Sequence, residues 1–569
     1  MNNIYVAGDF NIKSLGSFYQ KDKTTFRVYA PDYNALYLVI NNYSYEMHRN
    51  GYCFEIALSG NLELVKYHYL SDTKVEFKDP FSYLSDENDS YVLDTSKFNN
   101  EVYTPEELYC DPIIYEVSVR DFSSADSYTG KYKSKFLSFT EEGLKKNDYY
   151  SIGLDYIKEL GVTHLQFMPI FEFDSDRTEY NWGYNPVAYN YVHKAYVVNQ
   201  DNPYAYINEL RHTVNVLHQN DIRVTLDVVF NHVYDVRKND LGKMLNGKLY
   251  RYMDNGELAN GTLCGSEVDS ENPFVQMYII EMCYRYLKLF DIDGLRFDLM
   301  GILDVNTINA IQSNLVAFKK DFIVYGEGWN MGDVLPENRR ASIENAYIIP
   351  SVKMFNDFFR ETMIHYISGN DQIDEDVKKA LSGTHRNLNT YQAINYVECH
   401  DDFTFFDRMA IYKGDDDKEV NQKRCLLALA LVLLSKGTPF IQSGEEFLRT
   451  KGGFRNTYNL SDRINKLDWN LRAENALFVQ KVMDLIRFRR KYNGFNTNDK
   501  NVRFYTRGRC LCYQAGKLHV FINPSSEQLA YEGSEELHVL YDEFGYCNYS
   551  SKIVSISAYS FVICCEWVI

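Results

Sequence analysis

Tryptophan occurs four times in 569 residues, no purely apolar run exceeds nine residues, and positive charge is scarce: 60 Lys and Arg against 78 Asp and Glu, a formal net charge of −18. Each shortage removes a class of explanation. The longest apolar run, Leu426 to Leu434, cannot cross about 30 Å of bilayer hydrocarbon, so it is predicted to be a buried helix and no membrane partner is expected. The opening MNNIYVAGDFNIKSLG has neither the basic start nor the apolar stretch of a secretory leader, which predicts a cytoplasmic protein. Eleven cysteines at irregular spacing form no CxxC pairs, so reduced, structural thiols are expected. A negative balance disfavours nucleic acid and anionic lipid, which both need a positive surface, and leaves a neutral ligand open.

What remains is an ordinary soluble composition, 45% hydrophobic and 24% charged, in a chain longer than one hydrophobic core usually organises. The expected division is an N-terminal β-sandwich over 1–105, a large α/β domain over 106–496 and a C-terminal β-sandwich over 497–569. The first part carries alternating runs, TTFRVYAP (24–31), ALYLVI (35–40) and CFEIAL (53–58), broken by Asn, Asp, Gly and Pro. From about Asp111, apolar strand-like runs alternate with amphipathic segments. Strands are predicted at 113–119, 163–169, 224–230, 294–298, 322–327, 394–398 and 439–444, with an obscure one near Ile348. Most are apolar on both faces, as strands covered by helices must be. Helices are predicted over 154–161, stopped by Gly161, and from Pro273 to Phe290. Eight strands without a glycine-rich phosphate turn fit a (β/α)8 TIM barrel better than a doubly wound sheet. The runs RFYTR, CLCYQA, LHVFIN, LHVLYD and IVSISAYSFVICCEWVI then return to an all-β pattern.

Three acids stand at predicted C-terminal ends of barrel strands: Asp298 in DGLRFD, Glu327 in VYGEGW and Asp401 in VECHDD. Barrel enzymes place their chemistry at that edge. Cleaving a glycosidic bond takes one carboxylate to attack the anomeric carbon and another, protonated, to donate to the leaving oxygen; a third can hold the sugar. Any one of these acids alone would more often be a helix cap or an ion-pair partner. Their polar company shifts the balance: Arg296 two residues before Asp298, His400 beside Asp401, and Asp227, Asn231 and His232 after an earlier strand. Arg296 shares a strand face with Asp298, where its guanidinium keeps a nucleophile ionised.

The segments DVVFNHV (227–233), DGLRFDLMG (293–301), YGEGW (325–329) and YVECHDD (396–402) resemble, in order and spacing, the four sequence regions of the α-amylase family of glycoside hydrolases, family 13. YNWGYNP (180–186), LMG and YGEGW resemble the type I pullulanases within it, as do SLGSFYQKDKTTFRVYAP and GTPFIQSGEEFLRTKGG (437–453). The resemblance implies a glycogen-binding-type N-terminal sandwich, a retaining α-1,6 debranching hydrolase acting on pullulan, glycogen or limit dextrin, and a branched α-glucan as partner. It implies Asp298 as nucleophile, Glu327 as acid and then base, and Asp401 as the group that binds and distorts the sugar. By the same matching, Asp227, His232, Arg296 and His400 would serve the substrate, Tyr184 would stack under the sugar, and Trp182 and Trp329 would line neighbouring subsites. No cofactor and no obligatory metal is expected; calcium is the one ion left open, because Asn231 matches a calcium-ligand position of many α-amylases. A monomer is expected. Two other readings stand beside this one, an α-1,4-acting amylase or neopullulanase and a non-catalytic glucan-binding protein. Asn185, Asp402 and Phe403 depart from the subfamily pattern, and Asp402 sets a second carboxylate beside Asp401, where like charges raise one pKa.

Overall fold

A computed structural model describes residues 11–175, 180–369, 375–413, 417–492, 495, 502–507 and 510–566. Eight parallel strands close into a barrel: β1 (Ile114–Val117), β2 (His164–Phe167), β3 (Arg223–Val228), β4 (Gly294–Phe297), β5 (Ile323–Gly326), β6 (Lys353–Phe355), β7 (Ala393–Asn395) and β8 (Thr438–Gln442). β8 returns to β1, with Ile114 opposite Phe440. All residues of β1 to β4 are buried, which explains why their sequences do not alternate.

The helices form where the sequence supplies both ends. Gly153–Leu160 stops at Gly161, whose φ of +81° suits glycine. Pro273–Phe290 begins under Asn272, whose side chain accepts from the Phe274 and Val275 amides, and ends on left-handed Asp291. The run Leu426 to Leu434 is the buried end of helix Lys418–Leu434. No helix among the described residues is long and apolar enough to cross a membrane.

One strand lies elsewhere than expected. Ile343–Ile348 is a 3-10 helix with Tyr347 and Ile348 facing water, and the sixth barrel strand comes later, at Lys353–Phe355. Lys353 disguises it: a charged residue breaks the apolar pattern, yet its side chain is buried and its Nζ donates to the Tyr391 carbonyl at 2.6 Å.

Before the barrel, two antiparallel sheets face each other. One holds Gly16–Gln20, Lys23–Tyr29, Cys53–Ser59 and His48–Asn50; the other holds Tyr43–Glu46, Leu36–Ile40, Lys66–Ser71 and Glu76–Phe77. Lys23–Tyr29 alternates outward and inward, sending Phe26 and Val28 against Tyr67 and Tyr69 in the core. This sandwich is seated on the barrel's 273–290 helix, where Tyr29 stacks on Phe274 at 4.1 Å and the Tyr278 hydroxyl donates to the Pro80 carbonyl at 3.0 Å. After the barrel, six antiparallel strands form one sheet. The final sequence run splits there into Gly545–Ile556 and Ser560–Cys565, and the long hairpin Leu529–Asp542/Gly545–Ile556 folds back so that Val539, Val554 and Ile556 pack on Cys510, Cys512 and Phe521. All eleven cysteines are free thiols.

Candidate active site

Strand register builds the site. Asp227 on β3, Arg296 on β4 and Tyr325 on β5 are direct neighbours across the barrel, so they occupy one level just below its C-terminal edge. Asp298 and Glu327 follow β4 and β5 by one residue each, which lifts their carboxylates to the rim.

Arg296 is the hub, a fully buried cation meeting three carboxylates. Its Nη1 lies 3.0 Å from both oxygens of Asp227 and 3.1 Å from Asp298 Oδ1, and its Nη2 donates to Glu327 Oε1. Asp298 and Glu327 are each only 7% exposed. Asp298 Oδ2 also accepts from Asn231 Nδ2 at 2.6 Å, while Glu327 Oε2 accepts from the Leu299 amide at 3.0 Å. Leu299 offers that amide from a left-handed backbone, φ +37°. Two residues on, the chain passes so close to the loop after β5 that a Cβ on Gly301 would sit 1.8 Å from the Trp329 carbonyl oxygen, so only glycine fits there.

One guanidinium cannot fully compensate three buried carboxylates. Burial, opposed by Arg296 and reinforced by Asp298 and Asp401, pushes Glu327 up to about 7. Burial, opposed by Arg296 and reinforced by Asp298, pushes Asp227 up to about 7 as well. Asp227 also accepts from the Tyr184 hydroxyl at 2.7 Å.

The Tyr184 ring lies parallel to the His400 ring, centroids 4.8 Å apart. His400 is held by Glu116 of β1, a residue the sequence reading passed over: the Glu116 carboxylate accepts from both the His400 amide and Nδ1, each at 2.9 Å. Burial opposes the imidazolium, yet Glu116 and Asp401 raise His400 to about 9, leaving a charged Nε2 3.6 Å from Asp401. A second polar layer lies below: Gln166 donates to Glu116, Tyr325 donates to Gln166, and Thr225 meets Tyr325, at 2.9, 2.6 and 2.9 Å. Asp401 differs from the other two acids in being half exposed, 51%.

On the remaining walls, Trp182 is buried beside Met168 and Tyr180, with its edge against His400 at 5.2 Å and Tyr458 at 6.0 Å. His232 is buried, and burial lowers its pKa, so the imidazole is neutral there. Its Nδ1 meets Asn231 Oδ1. Asn231 therefore spends its oxygen on His232 and its amino group on Asp298, which makes it a support for the site. Among the described residues, no three His, Cys, Asp or Glu side chains are arranged to hold a metal. Trp329 is half-buried against the apolar cluster that includes Tyr325 and Phe355. The backbone carbonyl of Asn185 accepts from the Asp174 amide at 2.8 Å.

Asp402 is not the lone like-charge neighbour that its sequence position suggested. Arg455 lies 2.6 Å from its Oδ1 and Arg408 meets Oδ2, so its charge is matched.

An eight-stranded barrel carrying three acids and their arginine and histidine supports at its C-terminal edge defines a glycoside hydrolase of the α-amylase class. Residues 151–241 match the family profile described as alpha amylase, catalytic domain. The pullulanase of Bacillus subtilis (strain 168) is 32% identical over 522 residues, spanning 84% of this chain and 72% of that protein. Among solved structures, the pullulanase of Anoxybacillus sp. LM18-11 complexed with maltotetraose superposes with a TM-score of 0.93 at 31% identity, covering 98% of this chain and 88% of that one. The type I pullulanase of B. subtilis complexed with maltose gives 0.91 at 29% identity, covering 99% and 86%. The chain belongs to the type I pullulanase family.

Proposed function

We propose that Asp298 attacks the anomeric carbon of an α-1,6-linked glucosyl residue, that Glu327 protonates the departing oxygen and then activates water, and that Asp401 holds and distorts the sugar between them. Family membership makes the chain an α-1,6-glucan hydrolase; the assignment of roles rests chiefly on Arg296, which grips Asp298 and Glu327 through adjacent nitrogens of one guanidinium. Two carboxylates held by adjacent nitrogens of one planar cation are neighbours, which supports their use as nucleophile and acid in a retaining mechanism. Arg296 Nη1 and Asn231 Nδ2 orient the Asp298 carboxylate for attack, and burial of Glu327 favours the protonated form that an acid requires.

Tyr184 and His400 supply a flat ring surface and a charged donor below the expected sugar position, with Trp182 and His232 as the flanking contacts and Trp329 lining a neighbouring subsite. The chemistry uses side chains throughout, and the substrate it suits is a branched α-glucan such as pullulan, glycogen or limit dextrin.

Incubation with pullulan and, separately, with linear amylose tests the assignment, with Glu327→Gln as the blank. Maltotriose from pullulan with amylose intact is expected. Panose from pullulan, or short products from amylose, would transfer the specificity to α-1,4 linkages.

A further inference from the structure

Asp401 has the weakest support of the three acids. Asp298 and Glu327 each accept two hydrogen bonds, whereas among the described residues the half-exposed Asp401 side chain meets only His400 Nε2, at 3.6 Å. What fixes Asp401 lies one residue further on. Asp402 has a left-handed backbone, φ +66°, a conformation that Asp and Asn tolerate but that needs outside restraint to persist.

The loop after β8 supplies that restraint. The Asp402 amide donates to Asn456 Oδ1 at 2.7 Å, and the Asn456 amide donates back to the Asp402 carbonyl at 3.2 Å. Arg455 Nε reaches Asp402 Oδ1 at 2.6 Å, while Arg408, from the Phe405–Lys413 helix, takes the other oxygen. The two loops are joined again at Asp407, which accepts from Thr450 Oγ1 and the Lys451 and Gly453 amides at 2.5, 2.7 and 3.1 Å. Lys451 Nζ donates to the His400 carbonyl at 3.2 Å. The charged groups around Asp402 are thus Asp401 and His400 on its own loop, Asp407 and Arg408 on the helix, and Lys451 and Arg455 on the facing loop. Arg408 is buried in its contact, but Arg455 is 64% exposed, so the bridge between the loops is held in part by a salt-sensitive pair.

We propose that Asp402 and Arg455 are positioning residues for the hydrolysis: their ion pair locks the turn that aims Asp401 at the sugar and cancels the second carboxylate beside it. The proposal deepens the role assigned to Asp401 and rests on it. A displaced catalytic carboxylate lowers the rate even when every reacting group is present.

The test is steady-state hydrolysis of pullulan by Arg455→Ala at low salt. Its kcat/KM falls about three- to fivefold, the reach of an exposed ion pair, with the thermal midpoint unchanged. Raising salt to about 1 M, where the Debye length is about 3 Å, brings the wild type down towards the variant and leaves the variant flat. Arg455→Lys, which keeps a cation over the same carboxylate while Arg408 keeps the other oxygen, restores most of the loss. Wild-type kinetics in Arg455→Ala at every salt concentration would overturn the proposal. So would a loss that tracks a lowered thermal midpoint and is not relieved by Arg455→Lys. Asp401→Asn in the same assay separates the two levels: if it is inactive while Arg455→Ala is normal, only the clamp fails, and if it is fully active the role of Asp401 fails with it.

Discussion

The two ends of β4 carry aspartates five positions apart in opposite electrostatic situations. Asp293, at the start, is surrounded by donors: His218 Nε2 at 2.8 Å, Lys319 Nζ at 2.7 Å and the Val224 amide at 2.7 Å. Burial alone would raise its pKa, but His218 and Lys319 hold it well below the usual carboxylate range. At the other end, Asp298 shares Arg296 with Asp227 and Glu327, and the shortfall of positive charge leaves Glu327 and Asp227 raised to about 7. Surplus cation makes a structural anchor, and deficit makes an acid ready to give up a proton near neutrality. Burial does not distinguish the two ends; the ratio of donors to carboxylates does.

The sharpest way to break this contrast is to neutralise one carboxylate at each end. Glu327→Gln or Asp298→Asn is expected to lower kcat on pullulan by about 10^3-fold or more while leaving a folded protein. Asp293→Asn is expected to do the reverse, costing about 3–5 kcal/mol by taking the carboxylate from the fully buried His218 Nε2 while Lys319 keeps Asp291, with kcat per folded molecule close to wild type; urea melts beside active-site titration read both quantities. Equal catalytic loss at the two ends would end the distinction.

Arg296→Gln comes next, because it removes the cation from three buried carboxylates. Both stability and activity should fall, with a thermal midpoint lower than that of Glu327→Gln. An unchanged midpoint would show that the carboxylates do not need their hub.

The pH dependences should also run in opposite senses. Asp293 binds its proton more weakly folded than unfolded, so its contribution is present above about pH 4 and is lost on acidification through its folded pKa. Glu327 binds its proton more tightly when folded, so the net cost of burying it grows as pH rises from about 4.3 to about 7. The same value places the basic limb of kcat/KM near pH 7. Asp401→Asn should move that limb to lower pH in its residual activity, because the Asp401 charge is one of the groups that raise Glu327. A limb that stays in place would assign it to another group.

The smallest effect concerns the hidden support of His400. Glu116→Gln keeps the shape but removes the charge that sustains the imidazolium, and it should raise KM by about fivefold to tenfold, the effect of about 1–1.4 kcal/mol from one weakened hydrogen bond. The rise should be largest above neutrality, where His400 would lose its proton. A rise that is the same at all pH values would make Glu116 a packing residue.

How much of this was readable in the chain follows the range of each interaction. Asp298, Glu327 and Asp401 were visible because apolar runs end abruptly in acid, a pattern confined to a few residues. Arg296 was foreseen as the partner of Asp298, but its service to Asp227 and Glu327 depends on the register of three strands, which no local pattern encodes. Glu116 was hidden for a similar reason: its partner His400 is 284 positions away. A single charge inside the otherwise apolar run IIYEVSV was the available clue, as it was for Lys353 in β6.

The contact between Gly301 and the Trp329 carbonyl sets a limit for anyone reshaping this enzyme's specificity. The motifs LMG and YGEGW are far apart in the chain yet behave as a single part, since a side chain at 301 would push out the segment that begins with Glu327. In a combinatorial library, position 301 is a fixed joint to be left alone, and diversity belongs at the Trp329 side chain, whose backbone that joint holds still.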